Sequence, residues 1–139
     1  RLDAHDLGPM SNVEKPAGAA RTAVIVDERA VRCEKPPPHG GIGMSTAFRI
    51  SDAVPVPRAM EFRKRILHPG AAIGPHPLTH DEVYYVLAGL GDVTSDGVTT
   101  RMHEGMAAYL YSGAVVGIRQ IGDEPLALIV SYPNTPPTV

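Results

Sequence analysis

From Met44 onward the chain is a succession of short apolar-polar alternations cut off by turn-forming residues, and few architectures accept such a pattern. MSTAFRIS (44–51) and MEFRKRIL (60–67) alternate with a period of two, as strands with one buried face do, and the VPVP stretch between them breaks any helix. EVYYVLAG, GDVTS, VTTRM, MAAYLY, AVVGIRQI and PLALIVSY follow at close intervals, separated by Gly, Asp, Ser or Pro. Asp96-Gly97 between two of them suits a tight hairpin turn. No stretch carries a helical period. Many short antiparallel strands in a small chain predict an all-β sandwich, barrel or jelly roll.

Upstream, residues 1–20 hold Gly, Pro and charge without apolar periodicity and are expected to form a flexible arm, with a single domain over 21–139. TAVIVD (22–27) is the first strand candidate. EKPPPHGGIG (34–43) reads as a long irregular connection, because three successive prolines lack amide donors and the glycines invite turns.

With 13 Lys and Arg against 15 Asp and Glu, the formal charge of −2 offers no broad basic field, so nucleic acid is not an expected partner. No apolar run reaches the length of a membrane span, so no membrane is expected either. Cys33 is the only cysteine, which excludes an internal disulfide and any thiolate-cluster metal site. A cytoplasmic location is the expectation, with secretion or a periplasmic location left open because the chain starts without Met.

Two spaced patterns carry chemistry. Gly70 is followed by five residues, His76-Pro77-Leu78, three residues, Glu82, six residues and Gly89. Gly105 is followed by five residues, Tyr111-Ser112-Gly113, two residues, Val116, three residues and Gln120. In order and spacing, the region from Gly70 to Pro125 resembles the cupin family of small jelly-roll barrels. The family's pattern has a second histidine where this chain has Leu78, and Pro, His and Asn where it has Tyr111, Val116 and Gln120. The resemblance implies a cupin-type jelly-roll β-barrel, a small-molecule site in its interior and assembly as a homodimer. It also implies one divalent metal held by histidines and the glutamate, with zinc, manganese, iron or nickel as the candidates.

Carried over residue by residue, only His76 and Glu82 match the metal-binding positions. His80, four residues after His76 and two before Glu82, is the candidate replacement donor, giving a His76, His80, Glu82 set. On a water-exposed barrel mouth His80 would have no such role. His76, Glu82 and Tyr84 are the catalytic candidates, because Tyr84 shares the strand parity of Glu82 and faces inward, while Tyr85 faces out. Tyr109, Tyr111, Val116 and Gln120 are the ligand-binding candidates. Arg63 and Arg65 share one face and would meet a carboxylate ligand if that face is interior. His103 reads as an exposed hairpin residue, His68 as a rim residue, and His39 as part of a loop able to fold over the mouth. The function expected is binding of a small polar or aromatic metabolite inside the barrel, with isomerase, lyase or dioxygenase chemistry at a metal. The alternative is a metal-free, non-catalytic binding cupin.

Overall fold

The structure is a computed structural model and describes residues 13–14 and 21–134. Its strands are β1 (Arg32–Lys35), β2 (Ser45–Phe48), β3 (Met60–Leu67), β4 (Ala72–Pro77), β5 (Glu82–Ala88), β6 (Leu90–Ser95), β7 (Val98–Met102), β8 (Ala107–Leu110), β9 (Val115–Ile121) and β10 (Leu126–Pro133). They form two antiparallel sheets, one in the order β1-β2-β3-β10-β5-β8 and the other in the order β4-β9-β6-β7. This is one of the all-β architectures the alternation predicts, and the jelly-roll barrel that the resemblance implies. No helix among the described residues is long and apolar enough to cross a membrane.

The inward rows explain how the barrel is divided. In the larger sheet Leu67 pairs with Leu126, Arg65 with Leu128, and Arg63 with Val130; Leu128 in turn pairs with Val86, and Val130 with Tyr84. Side chains two apart share a face, so β3 presents Leu67, Arg65 and Arg63 inward in succession, and β5 presents Val86, Tyr84 and Glu82. Each row passes from apolar to polar along its strand. At the apolar end Leu67, Val86, Leu126 and Leu128 pack against Ile73, Val93, Val116 and Ile118 of the smaller sheet, all buried. Each such side chain contributes about 2 kcal/mol of burial free energy, which makes this end the stable floor of the barrel.

Turn chemistry holds where it was legible. Asp96 and Gly97 both take positive φ, 47° and 80°, and join β6 to β7. The Asp96 carboxylate also accepts from the Val115 amide at 2.9 Å, which ties the hairpin to β9.

Three elements differ from the sequence reading. TAVIVD forms no strand: residues 21–27 run without sheet pairing and leave Val24 and Ile25 exposed. The edge of β2 is taken instead by β1, which pairs Arg32 to Phe48 through Lys35 to Ser45. β1 itself was not legible, because RCEK is polar on both faces and fully or partly exposed throughout. β4 was hidden by its Gly and Pro; it pairs with β9 at the edge of its sheet, through a bulge between Ile73 and His76. The flexible arm expected over 1–20 lies outside the described residues apart from Val13 and Glu14.

Beside the polar end sits a closed charge network. Glu61, 5% exposed, accepts from Ser51 Oγ at 2.6 Å, Asn134 Nδ2 at 2.7 Å, Arg58 Nε at 2.8 Å and Arg63 Nη2 at 3.3 Å. Burial pushes its carboxyl up, but the bonds from Arg58, Ser51, Asn134 and Arg63 together outweigh that and hold its pKa at about 2.

Candidate functional site

The polar end of the barrel encloses a cavity of about 570 Å³. β5 supplies Glu82 and Tyr84, β3 supplies Arg63 and Arg65, β4 supplies His76, and β10 supplies Val130 and Tyr132. The 36–43 loop covers one side. Its seat is Gly74 on β4: a Cβ there would collide with the His39 carbonyl oxygen, so only glycine lets the loop lie this close. Hydrogen bonds between Ile42 and Ala72, at 3.0 and 3.1 Å, fix the far end of the loop.

This seating lays the His39 ring flat on His76, with centroids 3.5 Å apart and planes 8° from parallel. Burial, then the neighbouring His76 and Arg65, lower the His39 pKa. His76 Nδ1 donates to the Gly74 carbonyl at 2.9 Å, which leaves Nε2 uncommitted. Gly74→Ala is therefore expected to lift the loop from β4 and unstack the pair. Amide exchange at Gly41, Ile42 and Gly74 should quicken at least tenfold while β5 and β10 amides stay protected; unchanged exchange in the loop would contradict this seating.

Glu82 is 6% exposed, with His80 Nδ1 3.9 Å from one carboxylate oxygen. Burial raises its pKa, and the nearby histidines and the Tyr84 hydroxyl offset only part of that. Tyr84, 1% exposed, is itself pushed well up by burial and by Glu82, so its hydroxyl stays protonated. The His80 ring stacks on Tyr132 at 4.3 Å and 5°, and its Nδ1 donates to the Asp81 carbonyl at 3.1 Å.

The cupin domain family matches residues 64–132, the segment that carries most of the cavity wall. The chain belongs to the cupin family. Among solved structures, a "predicted oxalate decarboxylase" of Thermotoga maritima is 22% identical, with a TM-score of 0.71 over 81% of this chain and 100% of that one. The polyketide cyclase RemF of Streptomyces resistomycificus is 20% identical, with a TM-score of 0.69 over 84% of this chain and 83% of that one. A cupin 2 conserved barrel domain protein of Salinispora arenicola is 19% identical, with a TM-score of 0.62 over 83% and 91%. These likenesses show the jelly-roll fold. No curated protein sequence matches the chain.

For a cupin, the donor set here is thin. Leu78 and Val116 are buried, apolar residues where the family's pattern has histidines. Among the described residues no three His, Cys, Asp or Glu side chains come together as a group that could hold a metal ion. His76, His80 and Glu82 all line the cavity, yet His76 is stacked under His39, and His80 turns its ring onto Tyr132. The residues present do not fit the expected three-donor metal site.

Of the remaining candidates, Glu82 and Tyr84 point inward as their parity requires. Tyr109 and Tyr111 do not: they are 59% and 69% exposed, on the outer face, and the Tyr109 hydroxyl donates to Asp81 at 2.7 Å. β8 places the opposite parity inward, as buried Leu110 shows. Val116 belongs to the apolar floor. Gln120 is fully engaged, accepting from the Gly70 amide at 2.8 Å and donating to the carbonyls of Gly122 and Glu124 at 2.8 and 2.6 Å. It clamps the turns at the base of the barrel. Arg63 and Arg65 do face the interior, which the sequence alone left open. Tyr132 was missed, although its parity with Leu126 and Leu128 was the signal that would have found it.

Proposed function

We propose that this cupin binds a small polar or aromatic metabolite in the barrel cavity and moves a proton on it, with Glu82 as the base and acid, in an isomerase or lyase reaction. Glu82 carries the reading. It is the one acidic side chain on the cavity wall among the described residues, and burial raises its pKa. A carboxyl raised toward the working pH exchanges a proton in either direction with little driving force lost, as proton transfer requires. In the first step the Glu82 carboxylate takes a proton from a carbon next to a carbonyl, and becomes a carboxylic acid as the electron pair moves onto the carbonyl oxygen. Returning that proton to the former carbonyl carbon completes an isomerisation of a hydroxy-carbonyl compound, as the hydroxyl on the first carbon passes its own proton to the enolate oxygen and becomes the new carbonyl. Delivering the Glu82 proton to a leaving group on the next carbon completes an elimination. The buried Tyr84 hydroxyl, two residues along the same inward row and kept protonated by burial and by Glu82, would orient the substrate beside the carboxylate.

The test works on compound classes rather than on one substrate. A set of small keto acids, ketoses and aldoses is incubated with the protein in D2O and followed by proton NMR. Loss of a carbon-bound proton signal beside a carbonyl, at a rate set by protein concentration, is the expected result. Compounds that raise the melting temperature yet exchange no carbon-bound proton would overturn proton transfer and leave a binding protein.

A further inference from the structure

The cavity's charge is lopsided in a way Glu82 does not balance. Arg65 is 9% exposed, and its Nη1 donates to Ser45 Oγ at 2.8 Å, whose own proton goes to the Lys35 carbonyl at 2.7 Å. No carboxylate among the described residues lies within ion-pair distance of Arg65. Of the other cations of this wall, Lys64 holds Glu28 at 2.9 Å and Arg49 holds Asp52 at 2.6 Å, while Lys35, at the loop edge, makes no ion pair among the described residues. Arg63 is committed at one end only. Its Nη2 reaches Glu61 at 3.3 Å, while its buried Nε has no hydrogen-bond partner.

A guanidinium cannot escape burial by losing its proton, so an unpaired one is held at a desolvation cost that no ion pair offsets. Burial, and then the charges of Arg63 and Arg49, disfavour the Arg65 cation here. Such a group is stabilised by an anion from outside the chain. Both arginines lie on one face of β3, two residues apart, and both line the cavity. Unspent planar N–H donors match the two in-plane oxygens of a carboxylate better than a point charge would.

We propose that Arg65 and the Nε of Arg63 form a carboxylate subsite, so that the ligand of this cavity is a carboxylic acid anion. This rests on the reading of the cavity as the ligand site and names its substrate class. β10 stands between β3 and β5, which sets the arginine row about 10 Å from the Glu82 row at the backbone. Side chains reaching in from both rows leave room for a ligand whose carboxylate and reacting carbon are a few bonds apart.

The experiment compares matched probes on the full chain by calorimetry: benzoate against benzamide, succinate against succinamide, and inorganic phosphate. The carboxylates are expected to bind at least tenfold more tightly than their amides and than phosphate. Arg65→Met and Arg63→Met should each weaken carboxylate binding at least tenfold. Arg65→Met should also melt no lower than the wild type, because it removes an unpaired buried charge; a merely structural arginine would lower the melting temperature. Equal binding of amide and carboxylate by the wild type would overturn the subsite whatever the variants do, as would tighter binding of phosphate. Carboxylates that bind without any proton exchange in D2O would sink the proton-transfer reading and leave the subsite standing. Exchange on neutral carbonyl compounds with no preference for carboxylates would do the reverse.

Discussion

Glu82→Gln is expected to lower turnover by about 10²- to 10⁴-fold, the range that a positioned acid or base supplies, while the barrel stays folded. The amide keeps the shape of the side chain and removes the group that accepts the proton. The pH dependence of stability gives a second readout that does not need the substrate. Because burial raises the Glu82 pKa, the folded state binds its proton more tightly than the unfolded chain does. The cost of ionising it inside the barrel is absent below the ordinary carboxylate range and grows as pH rises through the raised value. The variant should therefore match the wild type in acid and melt higher near neutrality. Turnover within threefold of wild type, or a lower melting temperature near neutrality, would contradict the role given to this residue.

Glu61→Gln is expected to act in the opposite sense. The Glu61 carboxyl is held at about 2, against an ordinary value of 4.5, by its bonds to Arg58, Ser51, Asn134 and Arg63. Stability from this group is fully present above about pH 4.5 and disappears as pH falls through about 2. Replacing one partner of a buried pair leaves the arginines uncompensated, so the variant should lose about 3 kcal/mol near neutrality. Its stability should also fall less steeply than the wild type's between pH 4.5 and 2. Denaturant titrations at several pH values measure both effects. A loss that is the same at every pH would place the stabilisation in packing rather than in charge.

The two glutamates mark how far the sequence could be read. Glu82 was legible because its place in the Gly70–Gly89 motif and its position at the start of a clear strand both point inward. Glu61 was not, because its partners Ser51, Arg58 and Asn134 come from separate segments whose meeting depends on the tertiary fold. Arg63 and Arg65 were seen to share a face, but which face of β3 is interior follows from its pairing with β10, whose Leu126 and Leu128 fix the apolar side. Tyr109 and Tyr111 went astray because β8 has only four residues, with Leu110 alone buried, too short an alternation to set a phase. His80 sits between β4 and β5, where no strand parity applies, and its stacking on Tyr132 brings together residues far apart in sequence. Strand positions with a long pattern were readable; loop orientations and charge partners were not.

Glu82 is a buried carboxyl, and burial holds its proton more tightly than an ordinary glutamate's. The most direct test is a carbon-13 NMR titration of the glutamate side-chain carboxyls, with Glu82→Gln used to assign the resonance. One carboxyl is expected to titrate above the ordinary range, to vanish in the variant and to shift when benzoate is added. A Glu82 resonance that titrates in or below the ordinary range would contradict that expectation.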